Sequence, residues 1–348
     1  MNSWLMWPVK KIDIEMIAHA RAYQKTLTKP IGSLGQLEVI AEQFSGWQAS
    51  LHPELLSIAI TVFAGDHGIC RQGVSAFPQE VTAQMIINFL TGGAAISVLS
   101  RDLDADFCVV NMGTAYPIAN EFAQHHLLVN EPVNSGTKDF SVEPAMTSQQ
   151  LDKALLIGKK RVESLNVDLF IGGEMGIGNT TSASAIYSAL LELPAENTVG
   201  PGTGIDEYGL ALKQALITKA LNLHQSNLGS AYDVLRCLGG FEIAGLVGSF
   251  IACAQRGIPV LVDGFICTAA ALIAVKLNPD VRGWLLFSHC SAEPAHIIAL
   301  DYLEAAPLLN LGLCLGEGSG AAVAVPLLKT ALSLHNKMAT FSQVGIEC

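Results

Sequence analysis

The strongest constraint on the fold is a set of short apolar segments that alternate along the chain with helical patterns and glycine-rich turns. Residues 56–63, 106–111, 126–130, 167–171, 258–262 and 283–287 read as strands with few polar positions. A strand with one wet face alternates apolar and polar residues, whereas an uninterrupted apolar strand needs cover on both sides. Between these segments, residues 79–91, 94–101, 148–165, 264–275, 295–304 and 318–334 repeat apolar side chains at helical spacing. The alternation predicts an α/β fold whose parallel sheet carries helices on both faces. Residues 12–25 and 34–47 are also helical in pattern. The expected organisation is a small helical domain from residues 1–50 and about 320–348, beside an α/β domain of residues 51–319. In such sheets ligands bind at the carboxyl ends of the strands, which here means loops 65–78, 172–181, 263–264 and 288–294.

Of the 348 residues, 50% are apolar and 15% charged, ample for a sizeable core. With 20 basic against 31 acidic side chains the net charge is −11, so neither nucleic acid nor an anionic membrane is an expected partner. A small anionic ligand remains compatible, because a phosphate site built from backbone N–H groups needs few cations. The eight cysteines form no Cys-x-x-Cys pair and several lie in apolar runs, as expected of free thiols in a reducing compartment. The first residues lack the basic-then-apolar pattern of a signal peptide, and the apolar run 243–254 is broken by Gln255 and Arg256. A soluble, cytoplasmic protein is expected.

Several constellations could carry chemistry. Gly172-Gly-Glu-Met-Gly-Ile-Gly-Asn-Thr-Thr181 follows a strand and opens a helix, which offers backbone donors and a helix N-terminus to an anion. It lacks the Gly-Lys-Ser/Thr of a Walker A loop, and Gly176-x-Gly178 falls short of the dinucleotide fingerprint. It reads either as a phosphate site or as a tight structural turn. Within it, Glu174 is a carboxylate costly to bury without a task. A second glycine cluster spans 199–206; Gly202, Thr203 and the following Lys213 either complete a phosphate site or form a plain turn before a solvated lysine.

Gly316-Glu-Gly-Ser-Gly320 sets Glu317 alone among glycines just before a helix. Burial or a neighbouring charge tunes such a carboxylate as a general base; the alternative is a helix-capping glutamate. Ser288-His-Cys-Ser-Ala-Glu-Pro294 offers Cys290 as a nucleophile, Glu293 as a second carboxylate, or simply a polar wall. Asp66-His67 has no second histidine at a ligand spacing, and His125, His126 and His289 are not arranged with one another, so no metal site is expected.

Together these segments resemble the nicotinate-nucleotide–dimethylbenzimidazole phosphoribosyltransferase family, which makes the lower-ligand nucleotide of cobalamin. The matching pieces include Lys29-Pro-Ile-Gly-Ser-Leu-Gly35, Ala64-Gly-Asp-His-Gly-Ile69, Pro78-Gln-Glu-Val-Thr-Ala-Gln-Met85 and Asn88-Phe-Leu-Thr-Gly-Gly-Ala-Ala-Ile96. Pro259-Val-Leu-Val-Asp-Gly264 and the clusters at 172–181, 288–294 and 316–320 continue the match in order, from about residue 20 to 330. The resemblance implies transfer of the phosphoribosyl group of nicotinate mononucleotide to 5,6-dimethylbenzimidazole, giving α-ribazole 5′-phosphate and nicotinate. It also implies a six-stranded Rossmann-like sheet with a small helical domain, a homodimer, and no metal or cofactor.

By the same resemblance Glu317 is the general base, and Glu174 is a second active-site acid that faces the ribose or nicotinate with Asp263, Gly264 and Ser291. Gly176, Gly178, Asn179, Thr180, Gly202, Thr203 and Lys213 would hold the phosphate, and Phe77, Gln84, Met175 and Leu315 would wall the benzimidazole pocket. The competing expectation is a nucleotide-binding regulatory module without chemistry. Against it stand the isolated carboxylates Glu174 and Glu317, which a pure anion binder would exclude.

Overall fold

Six strands form one sheet: β1 (Ile58–Gly65), β2 (Asp106–Gly113), β3 (Leu128–Asn130), β4 (Leu169–Met175), β5 (Val260–Val262) and β6 (Leu285–Phe287). The computed structural model describes residues 3–200, 204 and 206–346. Gly202 and Thr203, expected at the phosphate site, lie outside the described residues. All neighbouring strands pair in parallel, in the order β3-β2-β1-β4-β5-β6. Every residue of β1, β5 and β6 is buried, and so is all of β4 but Met175. That is the two-sided cover these unalternating sequences require.

The helices are α1 (Ile14–Gln24), α2 (Gln36–Gln48), α3 (Glu80–Thr91), α4 (Ala95–Asp102), α5 (Ser148–Glu163) and α6 (Asn179–Leu191), followed by α7 (Glu207–His224), α8 (Ala231–Leu238), α9 (Phe241–Arg256), α10 (Phe265–Leu277), α11 (Pro294–Tyr302) and α12 (Ser319–Lys337). The apolar α9 lies on β1 and β4 and packs against α5, whose Arg161 bonds Thr61 of β1, while α3 packs on β1 and β2. The terminal helices come together: α2 packs on both α1 and α12, and α12 reaches β4 and α4. Gln24 and His335 join α1 to α12 through a 2.7 Å side-chain hydrogen bond. One continuous apolar cluster runs from Phe44 and Trp47 through Ile171 to Val325. Among the described residues one helical stretch, Glu80–Asp102, has the length and hydropathy of a membrane span. It is α3 and α4, interrupted between Thr91 and Ala95, with Ile86, Phe89 and Ile96 buried in the core.

The sheet order reverses between β1 and β4, since β2 lies on one side of β1 and β4 on the other. Open α/β sheets bind ligands in the crevice at such a switch point, beyond the carboxyl ends of the strands. The strand expected to stop at residue 171 continues to Met175: Val62, Phe63 and Ala64 pair with Gly173, Glu174 and Met175. In isolation a glycine pair reads as a turn. Here its missing side chains allow close packing on both faces of a strand. A Cβ on Gly172 would meet Leu246 and Phe250 of α9, whereas one on Gly173 would meet the backbone of Glu317 on the opposite face. Alternation along β4 therefore points Glu174 to the α9 side and leaves Gly173 bare for the Glu317 turn.

At the other end of the sheet, Asp168 starts the register of β1 against β4. Its Oδ2 accepts from the Leu56 and Ser57 amides and from the Ser57 hydroxyl, each at 2.9 Å. Asp168→Ala should lower stability by about 1–3 kcal/mol, seen as a lower thermal midpoint, with kcat unchanged because the site lies at the opposite strand ends.

Candidate active site

The end of β1 passes into Asp66 and His67, both buried. Asp66 accepts from the Thr82 hydroxyl (2.7 Å) and the Ala115 amide (2.7 Å), and Thr82 accepts in turn from the Ile177 amide (3.1 Å). This chain of bonds ties α3 to the glycine turn that follows β4. Beneath that turn, His67 Nε2 lies 2.6 Å from Glu242 Oε1 at the start of α9, with both side chains fully buried. His67 Nδ1 and Glu242 Oε2 have no hydrogen-bond partner among the described residues. Sequence reading missed Glu242. Its one signal was a carboxylate at the head of an otherwise apolar helix.

Glu317 sits at the opposite lip of the crevice. Gly316, Glu317 and Gly318 all have left-handed backbones, with φ of 89°, 66° and 87°. A left-handed conformation costs a non-glycine residue about 1–3 kcal/mol and persists only where its surroundings enforce it. Two contacts do so. A Cβ on Gly173 would stand 2.1 Å from the Glu317 carbonyl oxygen, so only a glycine in β4 admits the turn. On the other side, Asp263 accepts from the Gly318 amide through Oδ2 (3.1 Å) and from the Ala321 amide through Oδ1 (2.9 Å). Asp263, rather than Glu317, therefore satisfies the N-terminus of α12. The Glu317 side chain is left with the Ile96 amide, 3.5 Å from Oε2. Burial, reinforced by Asp263, pushes the Glu317 carboxyl above its ordinary value, against the pull of the Ile96 N–H.

Glu174 closes the β4 side. It is fully buried, its Oε2 accepts from the Asn179 amide group, and a Cβ on Gly316 would meet its Oε1. Burial and the neighbouring Asp263, Glu242 and Glu317 push it up to about 8, so it holds a proton at neutral pH. Burial also raises Asp263, while His289 (Nδ1 to Oδ1, 3.8 Å) and the amides of Ala321, Gly264 and Gly318 oppose that shift. Ser291 is buried, and its amide donates to His296 Nδ1 (2.8 Å). His296 also bonds the Thr268 hydroxyl, and burial lowers it to about 3, so it is a neutral structural group.

The turn 176–180 opens α6. Its Asn179 side chain is directed at Glu174, and the Ile177 and Asn179 amides bond Thr82 and the Gly176 carbonyl. Lys213, on α7, is buried and donates from Nζ to Thr180 Oγ1 (3.0 Å). The structure thus brings Lys213 to the first glycine turn and excludes a solvated lysine. Burial pushes its ammonium down, and the Glu293 carboxylate resists that. Phe77 and Leu315 are 50% and 62% exposed, Gln84 is exposed and Met175 half-buried. Three of the four residues expected to wall the benzimidazole pocket are therefore exposed rather than enclosed. The Cys290 thiol is raised by burial and the nearby Asp301, which disfavours it as a nucleophile. No group of three or more His, Cys, Asp or Glu among the described residues is arranged to hold a metal ion.

A parallel sheet with a switch-point crevice, a glycine turn at a helix N-terminus beside a buried lysine, and buried carboxyl groups define an α/β fold with a candidate site at the carboxyl ends of its strands. A family model described as phosphoribosyltransferase matches residues 9–346. The nicotinate-nucleotide–dimethylbenzimidazole phosphoribosyltransferase of Pseudomonas fluorescens is 52% identical over 348 residues, covering 99% of this chain and 98% of that one. The Pseudomonas putida protein of the same name is 50% identical over the same shares. The solved structure of this enzyme from Thermus thermophilus superposes with a TM-score of 0.90 at 39% identity, covering 97% of this chain and 100% of that one. The chain belongs to the nicotinate-nucleotide–dimethylbenzimidazole phosphoribosyltransferase family.

The raised Glu174 links stability to pH. An unfolded glutamate loses its proton near 4.5, whereas the folded Glu174 keeps it to about 8. Below that window both states are protonated. Within it the unfolded state has released a proton that the native state still holds, so stability falls as pH rises. Glu174→Gln should remove this loss, so the thermal midpoint of the variant relative to wild type should climb from about pH 5 to about pH 8. A difference constant across that range contradicts a protonated Glu174.

Proposed function

We propose that Glu317 is the general base of a phosphoribosyl transfer carried out in the crevice between β1 and β4. The reaction is that of the family: nicotinate mononucleotide and 5,6-dimethylbenzimidazole give α-ribazole 5′-phosphate and nicotinate, in cobalamin synthesis. One benzimidazole nitrogen attacks the ribose C1′ with inversion while the other N–H loses its proton. The C1′–N bond to nicotinate breaks with its electron pair left on the ring nitrogen, so the departing pyridinium becomes neutral and needs little acid assistance. The protein's task is to accept one proton and to hold the reactants in line.

The observation that carries the reading is the isolation of Glu317: buried, bonded only weakly to the Ile96 amide, and raised above an ordinary carboxylate. A carboxylate raised in this way is a stronger base than an ordinary glutamate, as removal of an azole proton requires. For the donor phosphate, the support is the 176–180 turn at the head of α6 and the Lys213–Thr180 bond. In this reading Gly176, Gly178, Asn179, Thr180 and Lys213 serve the phosphate end. Glu174, Gly264 and Ser291 line the ribose and nicotinate end, where a protonated Glu174 can donate to an acceptor oxygen; Asp263, expected there too, commits both oxygens to the first turn of α12. The flat apolar acceptor covers Phe77, Gln84, Met175 and Leu315, whose exposure leaves room for it. A homodimer and a cytoplasmic location belong to the same reading. The cysteines among the described residues are all unpaired, in keeping with a reducing compartment.

The test is Glu317→Gln, which preserves shape but accepts no proton. The product assay with both substrates should show kcat reduced by about 10²–10⁴-fold. Affinity for nicotinate mononucleotide should stay within a few-fold of wild type. Near-full turnover by the variant removes Glu317 from the base role, and binding without turnover by the wild type supports a regulatory module instead.

A further inference from the structure

We propose that Asp263 is the positioning residue of the base: it grips the first turn of α12 and thereby fixes the peptide unit that carries Glu317. The inference rests on Glu317 as base and adds the group that aims it.

A helix N-terminus is ordinarily satisfied by the side chain of its own N-cap residue. The N-cap of α12 is Gly318, with φ of 87°, and it has no side chain to offer. The missing acceptor comes from Asp263, 55 residues earlier at the end of β5. The amide it takes at 3.1 Å is that of Gly318, which belongs to the same peptide plane as the Glu317 carbonyl. The other edge of that plane, the carbonyl oxygen, is pressed against the bare backbone of Gly173. The plane is thus held from both edges, and ψ of Glu317 is set by groups on two different strands. The second bond, to Ala321, aligns the helix behind it.

Asp263 is itself secured. It is 1% exposed, its Oδ1 lies 3.8 Å from His289 Nδ1, and the Ser288 hydroxyl is 3.0 Å from the same nitrogen. A Cβ on Gly320 would stand 2.2 Å from the His289 ring and 3.0 Å from Asp263 Oδ1, so α12 and His289 close around the carboxylate. Both oxygens are therefore engaged within the protein. Displacement of a reacting group by about 1 Å can cost on the order of 10²-fold in rate, so slackening this grip should register in turnover before it registers in binding.

The experiment is Asp263→Asn in the full chain, alone and combined with Glu317→Gln. Asparagine keeps one acceptor and turns an N–H donor toward the other amide. The single variant should lose on the order of 10²-fold in kcat, with KM for both substrates within about threefold. In the Glu317→Gln background the same change should cost no more than about threefold, because a residue that acts only through the base has nothing left to aim. Two results overturn the proposal: a raised KM for nicotinate mononucleotide with kcat kept, which assigns Asp263 to the ribose, or equal losses in both backgrounds, which assign it to the fold.

If Asp263→Asn does not fold, His289→Gln carries the test by removing the imidazole beside Asp263 Oδ1 and leaving both amide bonds. It should lower kcat about threefold or more in the wild-type background alone. No loss, or the same loss in both backgrounds, overturns the proposal. Should Glu317→Gln itself stay active, the base assignment fails. Collapse of Glu317→Gln with an intact Asp263→Asn leaves the base standing and rejects only its positioning by Asp263.

Discussion

The contact between the 316–318 turn and the bare backbone of β4 at Gly173 governs the geometry of the site. It is possible only because β4 runs on through Gly172 and Gly173 as an extended strand instead of bending away. One glycine admits α9 on one face, and the next admits Glu317 on the other. Glu174 is thus placed by strand alternation, and Glu317, on the other face of β4, by a three-residue left-handed turn. The unfavourable backbone at Glu317 is offset by Asp263 and by the packing of α12, whose first residues are buried in the common core.

Five buried carboxyl groups, Asp66, Glu174, Glu242, Asp263 and Glu317, gather at the carboxyl ends of β1, β4 and β5 in a chain already carrying a net charge of −11. They cannot all ionise cheaply in a dry crevice, and the structure separates their fates. Glu174 keeps its proton, Glu242 pairs with His67, and Asp263 is met by three amides and a histidine. Glu317 alone has no strong partner, which leaves it free to take up a proton. A donor nucleotide with a cationic pyridinium is compatible with such a crevice: negative charge favours its approach, and the positive charge of the ring is lost as nicotinate leaves with the bonding electron pair. The buried Lys213, proposed to serve the phosphate, bonds Thr180 at the head of α6.

Much of this was legible in the sequence, because the signals were local. Apolar strands without alternation implied a covered parallel sheet, and a lone glutamate between glycines ahead of a helix marked Glu317. The two readings left open there, base or helix cap, could not be decided locally. The cap comes from Asp263, 55 residues away, and only the folded chain brings the two together. The same distance in sequence hid the His67–Glu242 pair, separated by 175 residues. Gly172-Gly173 misled for a different reason: glycine's turn preference is intrinsic, but close packing from both faces of the sheet overrides it. The expected acceptor wall was the least legible, since Phe77, Gln84 and Leu315 are exposed.

The most direct measurement of the central claim is the pH dependence of kcat/KM for dimethylbenzimidazole, corrected for the separately titrated protonation of the acceptor itself. With a buried, raised Glu317 as base, wild type should show an acidic limb from one ionisation above the ordinary glutamate value of 4.5, and Glu317→Gln should lack it. An identical limb in both proteins contradicts the account.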